Sequence, residues 1–299
     1  MKRVLVTGAS GFIGRNTTPA LLRRGYEVHA VSRTPGSPAE GLIWHRANLL
    51  DPREQRVLFE QVRPSHFVHL AWAVDPGAFW TSPENLRWVG ASLELLRAFA
   101  EGGGIRVVMA GTCAEYSWGD RDLSEAATPI LPATLYGASK DAVHRVAAQY
   151  AEQEKIELAW ARVFHVYGPH EPPSRLVSSV TAALLRGQAP PLAFGASLRD
   201  YLHVADVGAA FAAVLDSSIQ GAVNIGSGET VAARRIVELL GVECGRPDLV
   251  APGRLSDRPG NPPRICADAR RLRSEVKWTS TISLEQGLRA TADWWKQQL

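Results

Sequence analysis

The chain opens MKRVLVTGASGFIG (1–14), and the reading of this stretch decides the fold. Lys2–Thr7 reads as a short β-strand whose apolar run is Val4, Leu5 and Val6. Gly8, Gly11 and Gly14 follow at three-residue intervals, and the pattern then turns helical through Leu21 and Leu22. The first glycine of such a series allows a tight turn, the second lets the backbone approach a pyrophosphate, and the third lets helix and strand pack closely. The helix N-terminus adds free N–H groups and a positive dipole end. Three spaced glycines alone are a weak signal. Placed directly after a strand at the start of an α/β pattern, they point to a dinucleotide site rather than a mobile loop. Pro19 is expected to kink the first helix or to confine regular helix to one side.

The composition sets bounds. The 299 residues, 45% of them hydrophobic and 21% charged, suit a soluble α/β protein with a sizeable core, built as one unit or two lobes. A net charge of +3 without a Lys/Arg block argues against nucleic acid as the partner. Cys113, Cys244 and Cys266 are far apart and lack metal-ligand spacing. Their odd number cannot complete a disulfide framework, so a reducing, cytoplasmic compartment and no metal are expected. The basic pair Lys2-Arg3 before apolar residues superficially suits a signal peptide, but the apolar run is too short and its glycines belong to the turn. No apolar run approaches about 20 residues, so no membrane span is expected.

Further strands are expected at Tyr26–Ser32, Leu42–Arg46, His66–Ala71 and Ile105–Ala110. An Asp or Glu at the end of the second strand would accept from both ribose hydroxyls of NAD. Ser32 and Arg33 stand there instead, and Arg33, helped by Arg15, can pair with a 2′-phosphate, which points to NADP(H) with NAD as the other possibility. Residues 73–83 read as a loop containing Phe79 and Trp80, and 85–101 as an amphipathic helix. Trp72 and Trp80 fit either packing or an edge for a sugar or nucleobase. Tyr136 and Lys140, four apart at the start of a helix running to about Glu154, share one helix face. A nearby ammonium favours the phenolate and is expected to lower the Tyr136 pKa, making the phenol a proton donor or acceptor.

These motifs resemble the extended short-chain dehydrogenase/reductase family in its NAD-dependent epimerase/dehydratase branch. The resemblance spans GASGFIG (8–14), HLA (69–71), GTCAEY (111–116), YGASK (136–140), RVFHVYGP (162–169), RDYLHVADV (199–207) and NIGSGE (224–229). It implies that Thr112 hydrogen-bonds the reacting oxygen, that Tyr136 is the acid/base, and that Lys140 holds the nicotinamide ribose and tunes Tyr136. Gly8, Ser10, Gly11, Phe12, Ile13, Gly14 and Arg15 would wrap the pyrophosphate. Ser32 and Arg33 would face the adenosine ribose, Asn48 and Leu49 the adenine, and Leu70 and Ala71 the cofactor beside the fourth strand. Asn48 falls where relatives usually have Asp. Arg199 and Arg258 match arginines that clamp a substrate diphosphate, and Cys113, His165 and Arg175 join them as substrate-binding candidates. His165 stands where many relatives have Asn.

One departure narrows the chemistry. Sugar 4,6-dehydratases of the family read Thr-Asp-Glu where this chain has Thr112-Cys113-Ala114. Glu115 is one place late and is expected to point to the other face of an extended segment. GTCAEY and PENLRWVGASL (83–93) look like reductases of nucleotide-activated deoxysugars, of the CDP-abequose and CDP-paratose synthase type. The resemblance thus implies NADPH-dependent reduction of the 4-keto group of a nucleoside-diphosphate 4-keto-6-deoxyhexose, with Tyr136 as proton donor. The alternatives are a nucleotide-sugar 4-epimerase retaining NAD and, more remotely, a non-catalytic NADP-binding redox sensor.

The expected fold is a doubly wound parallel Rossmann-like sheet with a small C-terminal substrate lobe. The dinucleotide-binding domain would take 1–163 with 201–225 returning to it, and the substrate lobe 164–200 and 226–299. The resemblance implies that the helices at 85–101 and 136–154 form a homodimer face. Toward the C-terminus, a helix is expected at Arg175–Arg186, and Asp206 as the cap of one ending at Leu215. Another helix would run from Thr230 to near Gly241, with loop over 245–264 and a Ser283/Gln286 capping box before the last helix.

Overall fold

Three consecutive apolar residues, Val4, Leu5 and Val6, are fully buried in β1 (Arg3–Thr7). A strand covered on both faces reads as such a continuous run, and each aliphatic side chain removed from water contributes roughly 1.5–3 kcal/mol. The structure, a computed structural model, describes residues 2–34, 36, 39–190, 197–250 and 262–299. The chain continues through α1 (Gly14–Arg23), β2 (Glu27–Ser32), β3 (Leu42–Arg46), α2 (Pro52–Val62), β4 (His66–His69), α3 (Glu84–Glu101) and β5 (Arg106–Thr112). Then come a 3₁₀ turn at Cys113–Glu115, α4 (Leu135–Glu154), β6 (Glu157–Val163), β7 (His165–Tyr167), α5 (Leu176–Leu185), β8 (Leu198–Arg199) and β9 (Tyr201–His203). The last elements are α6 (Val204–Asp216), β10 (Gly221–Ile225), β11 (Val231–Ala232), α7 (Ala233–Glu243), β12 (Arg264–Ile265), α8 (Arg270–Ser274) and α9 (Leu284–Lys296).

Seven strands form one parallel sheet in the order β3-β2-β1-β4-β5-β6-β10. The chain winds outward from β1 to β3, then returns to β4 on the other side of β1. That reversal opens a crevice at the strand C-termini between β1 and β4, where ligands bind in such sheets. Alternate side chains of β1 feed two cores. Val4 and Val6 pack with Leu21 of α1 and with Val207 and Phe211 of α6, whereas Leu5 packs with Phe59 of α2, Leu95 and Phe99 of α3, and Val143 of α4. β10, from the chain's second half, lies beside β6, so 221–225 belongs to the main sheet.

Two buried charges fix the frame. Arg106, at the start of β5, donates to the carbonyls of Val214 (2.7 Å), Leu215 (2.8 Å) and Ile219 (2.9 Å), and so caps the C-terminus of α6 against the sheet. Glu115 is wholly buried. Its carboxylate accepts from the Thr112 amide (2.8 Å), the Trp160 indole (3.0 Å) and the Arg162 guanidinium (2.7 Å). Arg162 reaches on to the Tyr116 hydroxyl, and Tyr116 donates to Asn224. Burial pushes the Glu115 carboxyl up, and Arg162 with the N–H donors pulls it back. As expected, Glu115 turns away from the site, but it does so within a 3₁₀ turn rather than an extended segment.

Several local expectations need correction. Residues Gly14–Arg23 form one helix through Pro19. Pro19 is exposed and deprives only the Arg15 carbonyl, on the same solvent-facing side, of its helical partner. Asp206 does not cap α6; His203 does, accepting from the Ala205 amide. Asp206 lies in the first turn and holds the Thr281 amide and hydroxyl and the Ile282 amide, tying down the segment before α9. Thr230 does not begin a helix: β11 intervenes and α7 starts at Ala233. Within the 245–264 stretch, Pro247–Leu249 is a 3₁₀ turn and 251–261 lies outside the described residues. The Ser283/Gln286 capping box forms, and Trp295 packs in the interior.

The start of α5 is capped from outside the helix. Its N-cap residue, Arg175, has no capping side chain. The Glu171 carboxylate takes over, accepting from the Ser178 amide (3.0 Å) and hydroxyl (2.9 Å).

Removing Arg162 strands a buried carboxylate, which costs about 3–5 kcal/mol. Arg162→Met is therefore expected to lose stability of this order in urea unfolding, and Glu115→Gln in the same background to recover part of it. Burial raises the Glu171 carboxyl from 4.5 to about 7. The folded chain holds a proton there that the unfolded chain releases, so this contribution is full below pH 4.5 and is lost as pH rises through about 7. Relative to Glu171→Gln, the wild type should lose about 3 kcal/mol across that window, read from unfolding curves at its two ends.

Candidate active site

The glycine series builds a cradle at the crevice. Gly8 has φ +67°, and a Cβ there would sit 2.8 Å from the Ala71 amide nitrogen, so only glycine lets β1's exit turn lie this close to β4. A Cβ on Gly14 would overlap the Gly8 carbonyl. The turn closes with the Gly11 amide on the Gly8 carbonyl (3.0 Å), and α1 starts at Gly14 behind an N-cap residue, Ile13, that offers no side-chain cap. This leaves a helix N-terminus facing the cradle, the arrangement that receives a pyrophosphate.

A cavity of about 300 Å³ runs from this cradle to the ends of β5 and β7. It gathers Gly8, Gly11, Phe12, Ile13, Gly14, Leu70, Ala71, Thr112, Cys113, Tyr136, Lys140, His165 and Arg175 from the sequence-derived candidates. Trp72, Val74, Phe79 and Trp80 add an apolar wall. Trp72 and Trp80 both line the cavity and both pack against Tyr136. A larger cleft of about 520 Å³, between Tyr201, Arg235, Arg273 and Trp278, contains none of Thr112, Tyr136 and Lys140.

The other candidates lie outside the cavity. Ser10 and Ser32 join through their hydroxyls (2.8 Å), Ser32 also bonds the Thr34 carbonyl (2.7 Å), and Arg15 donates to the Ser10 carbonyl (3.0 Å). Arg33 follows as an exposed residue at the end of β2. Asn48 is exposed, and its side-chain oxygen accepts from the Leu50 amide in a local turn, while Leu49 is buried against α2 and α3. Arg199 lies on β8 and is half-buried. Arg258 lies outside the described residues.

Helix α4 presents the Tyr-Lys pair. Thr134 caps it by accepting from the Gly137 amide (3.1 Å), which sets Tyr136 in the first turn and Lys140 one turn deeper. The Tyr136 ring meets Phe79 edge-on at 4.9 Å, Trp80 at 5.8 Å and Trp72 at 6.4 Å. Lys140 donates to the Ala110 carbonyl (2.9 Å) and lies 3.8 Å over the Trp72 ring. Burial brings the Lys140 ammonium down to about 7, with Glu115 opposing. The Tyr136 phenol departs from the expected lowering. Burial pushes it up, Glu115 and Cys113 add to the rise, and a hydrogen bond with Thr112 and the Arg175 charge oppose it. The reason is desolvation: a phenolate enclosed by three aromatic rings loses more hydration than nearby donors return. Tyr136 therefore rests as a protonated phenol.

Around it, Cys113 is pushed up to about 12 by burial and stays a thiol. His165 is pushed down to about 3 by burial and by Arg199 and Arg175, and its Nδ1 is buried without a partner among the described residues. His69 links the strand ends to α3 through Thr7 (2.7 Å) and Ser92 (2.9 Å). Among residues the motifs did not single out, Glu171 and Asp200 are structural. Asp200 accepts from the Ser227, Gly228 and Ala267 amides, fixing the 226–228 turn beside β8. The signal for it was the RDY string itself, an acid between an arginine and an aromatic. Among the described residues, no group of three His, Cys, Asp or Glu side chains can hold a metal ion, and no helix is long and apolar enough to cross a membrane.

Comparison with known proteins agrees with this geometry. Residues 4–226 match the NAD dependent epimerase/dehydratase family. The chain is similar to the solved structure of MoeE5 in complex with UDP-glucuronic acid and NAD, with 31% identity, a TM-score of 0.86 and coverage of 99% of this chain and 100% of that one. It is also similar to the UDP-glucose 4-epimerase of Thermus thermophilus in complex with NAD, with 26% identity, a TM-score of 0.83 and coverage of 99% and 100%. UDP-glucuronic acid decarboxylase 1 of Xenopus tropicalis is 25% identical over 313 residues, which cover all of this chain and 73% of that protein. The glycine cradle, with its close backbone approach and uncapped helix, fits the dinucleotide that this family's name implies. The chain belongs to the NAD dependent epimerase/dehydratase family, within the extended short-chain dehydrogenases/reductases, and is an enzyme of the oxidoreductase type.

Proposed function

We propose that the chain reduces the 4-keto group of a nucleoside-diphosphate 4-keto-6-deoxyhexose, with NADPH as reductant. One observation carries this reading: Thr112, Tyr136 and Lys140 line a cavity continuous with the glycine cradle, and among the described residues no carboxylate lines it with them. Dehydration of a sugar across carbons 5 and 6 needs a further acid/base beside the ring. Glu115, whose charge acts on Tyr136, is committed to Thr112, Trp160 and Arg162. The apolar wall of Trp72, Val74, Phe79 and Trp80 suits a sugar bearing a methyl group.

Gly8, Gly11, Gly14 and the start of α1 would hold the pyrophosphate, and Arg33 with Arg15 the 2′-phosphate. When bound, the dinucleotide supplies a hydride to the carbonyl carbon. Thr112 and Tyr136 polarise the ketone oxygen, and the Tyr136 phenol gives it a proton as the alkoxide develops. Its resting protonated state suits a donor. Lys140 keeps two N–H groups beyond the one on Ala110 for the ribose. Arg199 and Arg258 would anchor the diphosphate, and 164–200 with 226–299 would form the substrate lobe. The outer faces of α3 and α4 are the proposed homodimer surface.

The second reading is a 4-epimerase that retains NAD. Similarity to the Thermus thermophilus enzyme and to MoeE5 favours it; Arg33 in place of a carboxylate speaks against it.

The deciding assay follows NADPH absorbance with a panel of nucleoside-diphosphate 4-keto-6-deoxysugars, with NADH alongside. Rapid oxidation of NADPH by one member is expected. No oxidation with any member, together with NAD released from the denatured protein, would shift the reading to the epimerase or to a different keto substrate. Tyr136→Phe should lower turnover by about 10²–10⁴-fold while sparing NADPH binding. Near-normal turnover in that variant would remove Tyr136 from the mechanism. Arg33→Asp should cut kcat/KM for NADPH by roughly 10–150-fold, the equivalent of a charged hydrogen bond, and leave NADH little affected.

A further inference from the structure

Enclosing Tyr136 in aromatic rings creates a problem that the reaction must meet: once the phenol gives up its proton, a phenolate is left in a poorly hydrated place. The charged and titratable groups facing it come from three elements. Glu115 and Cys113 lie on the turn after β5, Lys140 on α4 itself, and Arg175 at the start of α5. Glu115 and Cys113 oppose the phenolate. Lys140 sends its ammonium to the Ala110 carbonyl and to the face of Trp72.

Arg175 differs from these. It lines the same cavity, and its guanidinium lies 6.0 Å over the Phe79 ring, which in turn meets Tyr136 edge-on. Among the described residues it forms no ion pair. The titratable groups around it are Glu171, His165, Tyr201 and Tyr136. Glu171 is spent on the Ser178 amide and hydroxyl, and by that cap it fixes the helix start from which Arg175 projects. His165 is held neutral by burial. The guanidinium therefore shares the cavity with Tyr136, paired with no carboxylate among the described residues and with Glu171 as the one acid near it whose charge, above pH 7, partly offsets its own.

We propose that Arg175 is a positioning residue for the reaction: it stabilises the Tyr136 phenolate and holds the Phe79 ring edge-on to it, beyond any contact it makes with substrate. The inference rests on Tyr136 being the proton donor proposed above. In that step the hydride adds to the carbonyl carbon, the carbonyl oxygen takes the phenol proton to become a hydroxyl, and the phenolate later regains a proton from water. An arginine suits the task because it stays charged throughout, whereas burial brings Lys140 close to losing its proton.

The test is a titration of the enzyme saturated with NADP, whose cationic nicotinamide, seated beside Tyr136, would lower the phenol's midpoint. Ultraviolet absorbance of ionised tyrosine is read as the difference between a parent and its Tyr136→Phe counterpart, and no sugar substrate is needed. Arg175→Gln is expected to raise the Tyr136 midpoint by about one pH unit with NADP affinity unchanged, and Arg175→Lys to restore most of it. The basic limb of the kcat profile should move with it. Arg175→Met serves as a second neutral variant if the glutamine variant folds poorly. An unchanged midpoint in a folded neutral variant would overturn the proposal and leave Arg175 as a substrate contact only. Because the titration needs no ketone, it decides on Arg175 even if every sugar in the panel is refused.

Discussion

The buried carboxylate of Glu115 is the constraint on which the site depends. It holds the Thr112 amide on one side and Trp160 and Arg162 of the neighbouring strand on the other. That fixes where β5 ends and how the following turn presents Thr112 to the cavity. The same charge continues through Arg162 and Tyr116 to Asn224 on β10, so the last strand of the sheet is referenced to the reacting end of the fifth. An ion pair in this position is weak as a source of net stability, because both partners lose their hydration. Its value is directional: it admits few alternative registers for the strand ends that carry the chemistry.

Desolvation is the second theme. It raises the Tyr136 phenol and the Cys113 thiol and lowers the Lys140 ammonium and the His165 imidazole, so that each leans toward its neutral form. A cavity kept nearly free of local charge strengthens any electrostatic contact made inside it. Ligand charges, and the few cations that remain ionised such as Arg175, then act on the phenol with less screening than at a surface.

Much of this was legible in the sequence because it follows from short-range geometry. The Gly8, Gly11, Gly14 series gains its meaning from the strand directly before it, and the Tyr136–Lys140 spacing places both side chains on one helix face whatever surrounds it. The C-terminal third was harder to read. Asp206 looks like a helix cap from its neighbours alone; its partners, Thr281 and Ile282, are some 75 residues away. The capping role of Glu171 is likewise invisible to a pattern that expects Ser, Thr or Asp at the cap position itself. Helix α2 carries no chemistry, so motifs did not mark it. The direction of the Tyr136 shift depended on Phe79 and Trp80, whose loop position says nothing about what they enclose. Pro19 shows the reverse case, a strong local rule relaxed because the affected carbonyl faces water.

The tryptophans that wall the cavity have a practical consequence. Trp72 and Trp80 border the cavity on which Tyr136 and Lys140 converge, and Trp72 is anchored through its indole to Asn85 at 2.8 Å. Indole emission overlaps the absorption of a reduced nicotinamide, so a dinucleotide seated beside Trp72 would quench it by energy transfer. The wall that keeps water from the phenol thus doubles as an optical gauge, one that reports occupancy of the cradle and redox state of its guest without any label.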